Sequence, residues 1–203
     1  MNDTPPTEET TPPEKDSSED VAQRWATRGA WIFLLVVTVI LTVADQWSKH
    51  WAHHSLRQDH GGSMVIARTE EAAFAFSYVR NHGAAWGFLA NADESFRRPF
   101  FFIISLLAMG FILYLFSRVR LGQRMLALAL ALVLSGALGN FIDRVRFGYV
   151  VDFIDVRYGT FRWPTFNVAD IAISVGVAFL LLESFFGNGK KKHPPSSEAQ
   201  GEG

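Results

Sequence analysis

Four long apolar stretches divide this chain, and the segments between them are polar and unevenly charged. From Gly29 to Ala44 no residue is charged, and Asp45, Gln46 and Trp47 close the run. Pro99 to Ser117 is a second run, and Met125 to Ile142, with its Leu-Ala-Leu-Ala-Leu-Ala core, is a third. A fourth runs from about Asn167 to Phe186, with Asp170 and Glu183 near its two ends and a wholly apolar centre from Ile171 to Leu182. At about 1.5 Å of rise per residue, such runs cross a hydrocarbon layer of about 30 Å. A soluble bundle would show polar faces at the helical period, and these segments show none. The pattern predicts an all-α polytopic membrane protein with four spans, at about 29–47, 99–117, 125–142 and 167–186.

The connections add a second layer. Met64-Val65-Ile66 and the alternating Phe74-Ala75-Phe76-Ser77-Tyr78-Val79 read as short strands, an apolar β-platform lying on the membrane surface. This platform leads into Asn81-His82-Gly83-Ala84-Ala85-Trp86-Gly87, whose small residues permit close backbone approach. Residues 1–27 are rich in Pro, Thr, Ser, Glu and Asp and predict a disordered tail; 28–187 form the membrane domain, and 188–203 a basic, then polar, tail. An acidic leader ahead of the first apolar run does not fit a cleaved secretory signal. Arg118, Arg120 and Arg124 in the link between spans two and three, Lys190 to Lys192 after span four, and Arg24 and Arg28 before span one place both termini in the cytoplasm. The two long connections, about His50 to Arg98 and Arg144 to Phe166, then lie outside.

Composition narrows the chemistry. A formal charge of -1 offers no surplus of cations for a nucleic-acid partner. Without cysteine there is no disulfide, no thiolate metal site and no cysteine nucleophile. His50, His53, His54 and His60 lack a His-Glu-x-x-His pattern and read as a wet segment after a helix, so no metal and no cofactor is expected. Ser48-Lys49 are helix neighbours pointing about 100° apart, and Ser135-Gly136 has no histidine in the spans to act as its base.

What remains is a set of carboxylates. Spans one and three leave the membrane outward at Asp45 and Asp143, span four re-enters near Asp170, and Asp152 and Asp155 sit in the loop between the last two, so topology gathers all five at one leaflet. An acid in a membrane segment is by default a functional candidate. Asn167 and Asp170 share a helix face, and Asn140 and Asp143 repeat the spacing. Two carboxylates about 4 Å apart at an effective dielectric near 20 repel by roughly 4 kcal/mol, which separates their titrations by several units and suits aspartic acid-base hydrolysis. Asn-x-x-Asp symmetry favours Asp143 as the partner of Asp170. A small transporter or proton-relaying bundle is the rival class, and it predicts midplane acids and internal repeats.

Five motifs occur in an order that resembles lipoprotein signal peptidase (signal peptidase II): Asp45-Gln46-Trp47-Ser48-Lys49, Asn81-x-Gly83-Ala84-Ala85-x-Gly87, Gly139-Asn140-x-x-Asp143-Arg144, Val150-Val151-Asp152-Phe153 and Phe166-Asn167-Val168-Ala169-Asp170. The resemblance implies an aspartic endopeptidase of the bacterial cytoplasmic membrane, active at the outer leaflet. It would remove signal peptides from prolipoproteins just before a diacylglyceryl-modified cysteine. The implied catalytic dyad is Asp152 and Asp170, with Asp45, Lys49, Asn81, Gly83, Asn140, Asp143, Arg144, Asn167 and Ala169 as the supporting and substrate-contacting set. Asp143 moves to support, anchored to Arg144, and the partners are lipid-modified substrate and membrane lipid, with the enzyme a monomer. Trp86, in place of a smaller aromatic, and the long amino-terminal tail depart from the family pattern. A non-catalytic scaffold of the same fold stands as the other alternative.

Overall fold

A computed structural model describes residues 17–59, 62–83, 89, 92–120 and 122–186, the side chains of 17–27, 58 and 59 excepted. Its elements are α1 (Ser17–Trp51), a π-helical continuation (Ala52–Asp59), β1 (Ser63–Arg68), β2 (Ala72–Asn81), α2 (Glu94–Ser117), α3 (Arg124–Phe147), β3 (Val150–Tyr158), β4 (Phe161–Arg162) and α4 (Val168–Phe186). Among the described residues, four helical stretches are long and apolar enough to cross a membrane: Arg28–Arg57, Glu94–Ser117, Arg124–Phe147 and Val168–Phe186.

Helix ends differ from the sequence expectation for local reasons. The helix of the first span begins at Ser17, so the boundary drawn at residue 28 falls inside it. The second starts ahead of Pro99 because the Asp93 carboxylate caps it, accepting from the Ser95 amide at 3.2 Å. The third runs past Asp143 to Phe147 and stops at Gly148, whose φ of 75° is the left-handed conformation that glycine adopts without penalty. Asp143 is therefore a residue of the helix body, not of its end.

A four-stranded antiparallel sheet, in the order β1-β2-β3-β4, covers one end of the bundle. Both strands foreseen in the first connection are present. The second connection holds β3 and β4 where a loop was expected, so Asp152 is borne by a strand. A bulge in β2 between Phe76 and Val79 restores the pairing Val79↔Asp152 and Asn81↔Val150, which puts Asn81 on the sheet face of Asp152. Ala52, Leu56 and Phe153, with Trp51 and Phe76 against them, seal the sheet onto the end of α1.

Within the bundle, Leu34, Ile112, Phe116, Leu130, Ala131 and Leu134 form the apolar core. Outward residues such as Ile40 and Val43 are about 60% exposed, as expected of side chains that meet lipid. Along α4 the buried residues are Ala169, Ala172 and Gly176, a stripe of small side chains that lets α3 approach closely. Gly136 and Gly139 answer from α3: a Cβ on Gly136 would collide with the Ala169 carbonyl oxygen and lie 2.6 Å from Ile173 Cγ1. Gly136→Ala should therefore destabilise the protein by about 1–3 kcal/mol through overpacking. Gly110→Ala, where nothing lies within 4 Å, should be neutral, and thermal unfolding in detergent separates the two.

Candidate active site

Two amides and a lysine organise the polar end of the bundle. Asn167 precedes α4, and its side-chain oxygen accepts from the Asp170 amide at 3.0 Å while Asp170 Oδ2 accepts from the Asn167 amide at 3.2 Å. This reciprocal capping box explains the Asn-x-x-Asp spacing in physical terms. It also fixes the Asn167 side chain, because its oxygen is committed to a backbone donor. The Nδ2 group must then face the other way, where it donates to Asp152 Oδ1 at 2.6 Å and to Asn140 Oδ1 at 3.2 Å.

Asn140 is oriented by a different device. Lys49 Nζ, which can only donate, reaches Asn140 Oδ1 at 2.9 Å, so the Asn140 Nδ2 points to Asp170 Oδ1 at 2.8 Å. Lys49 is itself buried between two carboxylates, Asp45 at 2.8 Å and Asp143 at 3.1 Å. Asp45 also accepts from the Ala169 amide at 2.9 Å, and Asp143 from the Val151 amide at 3.0 Å, so this cluster ties α1 and α3 to α4 and β3. A side chain larger than Ala at 169 would press into this seam, because Ala169 is almost completely buried.

The expected anchor of Asp143 is corrected by this arrangement. Arg144 is its helix neighbour and points about 100° away. Its guanidinium lies 5.1 Å from the centre of the Phe101 ring and reaches the Asn140 carbonyl oxygen at 3.4 Å, while Lys49 and Gln46 hold Asp143. Gln46, absent from the expected site set, donates to Asp143 Oδ1 at 3.0 Å and to the Gly139 carbonyl oxygen at 3.1 Å. The signal for it was an amide one position after Asp45 at the end of an apolar run.

Asp152 is almost completely buried, and each of its oxygens faces an amide: Asn167 on one side and Asn81 Nδ2, at 2.9 Å, on the other. Asn81 is set by Gly83, whose amide donates to Asn81 Oδ1 at 3.0 Å. Ala84, Ala85, Trp86 and Gly87 lie outside the described residues, as do His60 and both tails beyond 17 and 186. Burial, and next the charge of Asp170, push the Asp152 carboxyl up to about 7, against the hydrogen bonds of Asn81 and Asn167 and the charge of Lys49.

Asp155 does not join the others. Three residues on from Asp152 along the strand, it points to the opposite face. There it pairs with Arg157 and Arg162, each at 2.8 Å, and accepts from Ser77 at 3.2 Å. Burial works to raise its carboxyl, but the two arginines outweigh it and hold the group below the usual carboxylate range.

Asp152 and Asp170 face one cavity of about 1210 Å³ whose polar lining includes Asn81, Asn140 and Arg144. Its apolar walls come from Tyr158, Phe161 and Trp163 on the sheet side and Ile171, Ile173 and Val175 on α4. Ile171 and Val175 are also exposed on the outer surface of α4, so the cavity reaches the lipid-facing side of the bundle. Two acids in unequal surroundings, one more buried than the other, can divide the roles of proton donor and proton acceptor. Asp45, Lys49, Asp143 and Ala169 stand behind this cavity, and Asn140 and Asn167 join them to it.

Comparison with known proteins agrees with this architecture. Residues 37–186 match the family described as Signal peptidase (SPase) II. A lipoprotein signal peptidase of Geobacter sulfurreducens is 53% identical over 138 residues, covering 64% of this chain and 85% of that protein. Another, from Syntrophus aciditrophicus, is 42% identical over 158 residues, covering 75% and 91%. A bacterial membrane enzyme solved by the in meso method at 2.3 Å superposes with a TM-score of 0.62 at 30% identity, over 80% of this chain and 94% of that one. The chain belongs to the signal peptidase II family.

Proposed function

We propose that this peptidase is an aspartic endopeptidase of the bacterial inner membrane that cuts prolipoproteins just before a diacylglyceryl-modified cysteine. The observation that carries the reading is the shared cavity in which Asp152 and Asp170 are joined through Asn140 and Asn167 and which continues onto a lipid-facing apolar wall. Such a cavity suits a substrate whose peptide bond must meet acids while its acyl chains remain in lipid. Arg118, Arg120 and Arg124 between α2 and α3 support an orientation with that cavity at the outer leaflet and both termini in the cytoplasm. A monomer suffices for this chemistry.

In this mechanism Asp170, half-buried on the cavity wall, takes a proton from water as the water oxygen bonds to the scissile carbonyl carbon. Asp152 gives its proton to the carbonyl oxygen, and a tetrahedral diol results. Collapse of the diol breaks the C–N bond, with the proton on Asp170 passing to the leaving amine and a diol proton returning to Asp152. Asn81, Gly83, Asn140, Asn167 and Arg144 position the acids and the chain, while Asp45, Lys49, Asp143 and Ala169 hold the framework.

The test is turnover of a prolipoprotein peptide, with and without diacylglycerol on its cysteine, by the purified protein across pH. Cleavage of the lipidated peptide alone is expected; equal cleavage of both would sink the lipid requirement. A carboxyl raised to about 7 keeps its proton below that pH, so kcat/KM should fall as pH rises through about 7. Asn81→Ala removes a hydrogen bond that lowers the Asp152 value, so the falling limb should move to higher pH. A limb that stays in place in this variant would remove Asp152 from the role of acid.

A further inference from the structure

We propose that the smaller cavity between the start of α2 and the end of α3 binds the phosphate of an anionic membrane phospholipid. Its volume is about 400 Å³, and Arg97, Arg98 and Arg144 line it together with Phe101, Phe102 and Tyr149. Among the described residues no carboxylate lines it, and Glu94, one helical turn before Arg98, is paired with that arginine. Three guanidinium groups around one space match a phosphate diester, whose oxygens accept paired N–H donors.

The guanidinium groups are held in place by the fold. Arg97 is buried, with Nη1 donating to the Ala92 carbonyl oxygen at 3.1 Å and Nη2 at 3.5 Å from His82 Nδ1. Arg98 lies against the backbone at Gly148, where a Cβ would come within 2.6 to 2.7 Å of its Nε, Cζ and Nη2 atoms. What favours glycine at 148 is its left-handed φ, the turn that ends α3 and leaves room beside it for the Arg98 side chain. Arg144, above Phe101, is the wall shared with the larger cavity.

Depth selects a lipid over a soluble phosphate. Arg97 and Arg98 immediately precede Pro99, where the uncharged run of α2 begins, so the cations stand at the membrane boundary. Below them Phe102 is partly exposed and packs against Phe141, with ring centroids 5.2 Å apart, giving acyl chains an apolar path down the α2–α3 crevice. The cations favour an anionic headgroup over a zwitterionic one, whose own cation they would repel.

This site does not depend on the cleavage reading, and its test measures bound lipid. Full-length protein stripped of lipid is titrated in a neutral detergent with phosphatidylglycerol or phosphatidylcholine, and retained lipid is counted by native mass spectrometry. Phosphatidylglycerol should be retained roughly tenfold better. The double variant Arg97→Gln/Arg98→Gln should lose that preference, and Arg98→Glu, at a half-exposed position that spares the core, should reduce it at least about threefold should the double variant fail to fold. Glycerol phosphate at millimolar concentration should not compete. Equal retention of the two lipids by the wild type, an unchanged preference in Arg98→Glu, or full displacement by glycerol phosphate would each overturn the proposal.

Discussion

Asp152→Asn is expected to lower kcat for a lipidated prolipoprotein peptide by about 10³- to 10⁴-fold in folded, purified protein. Asparagine keeps the shape of the side chain but has no acidic proton to give to a carbonyl oxygen. Asp170→Asn should cost a similar factor, and the double variant little more, because two groups that act in one step are not additive. Thermal unfolding belongs in the same experiment: Asn at 152 sets an NH2 group against the donors of Asn81 or Asn167. Asp143 is the contrasting position. Its oxygens are taken by Gln46, Lys49 and the Val151 amide, and it does not line the cavity. Asp143→Asn should therefore lower stability more than it lowers the chemical step. Full activity of Asp152→Asn would return the acid to Asp143.

The spans were legible because charge-free runs of this length have few other uses, and the acids at their ends were legible because an acid there is costly. Symmetry of the two Asn-x-x-Asp pairs was the misleading part. At Asn167 and Asp170 the spacing is a capping box that starts a helix, whereas Asn140 and Asp143 both sit inside α3 and turn to different neighbours. Spacing alone does not separate the two cases. What separates them is the helix boundary, and that lay in Gly148, a C-terminal signal five residues beyond Asp143.

The charges in the segment between the last two spans suggest a loop around Asp152, and its strand is visible in a different property of the same residues. Val150-Val151-Asp152-Phe153-Ile154-Asp155-Val156-Arg157-Tyr158 is rich in β-branched and aromatic residues, and alternation along it assigns Asp152 and Asp155 to opposite faces. That reading would have set Asp155 aside without a structure. The bulge in β2 and the role of Lys49 in turning Asn140 were beyond reach, since both depend on which distant segments meet.

Lys49→Met should be the most damaging single change outside the cavity. It leaves Asp45 and Asp143, each about 1% exposed, as buried carboxylates without their cation, at a cost of about 3–5 kcal/mol. A purely structural lysine would lose activity only in proportion to folded protein. The geometry expects more, because Lys49 is the donor that aims the Asn140 amide at Asp170. Replacing the whole cluster, as Lys49→Met with Asp45→Asn and Asp143→Asn, removes the unpaired charges and should recover much of the stability. It does not return the lysine donor to Asn140 Oδ1, which keeps only the longer bond from Asn167 at 3.2 Å, so kcat should stay at least about 10²-fold below wild type, within the range of a misplaced catalytic group. Recovery of kcat in step with the unfolding temperature would show that the lysine supports the fold and does not set the amide.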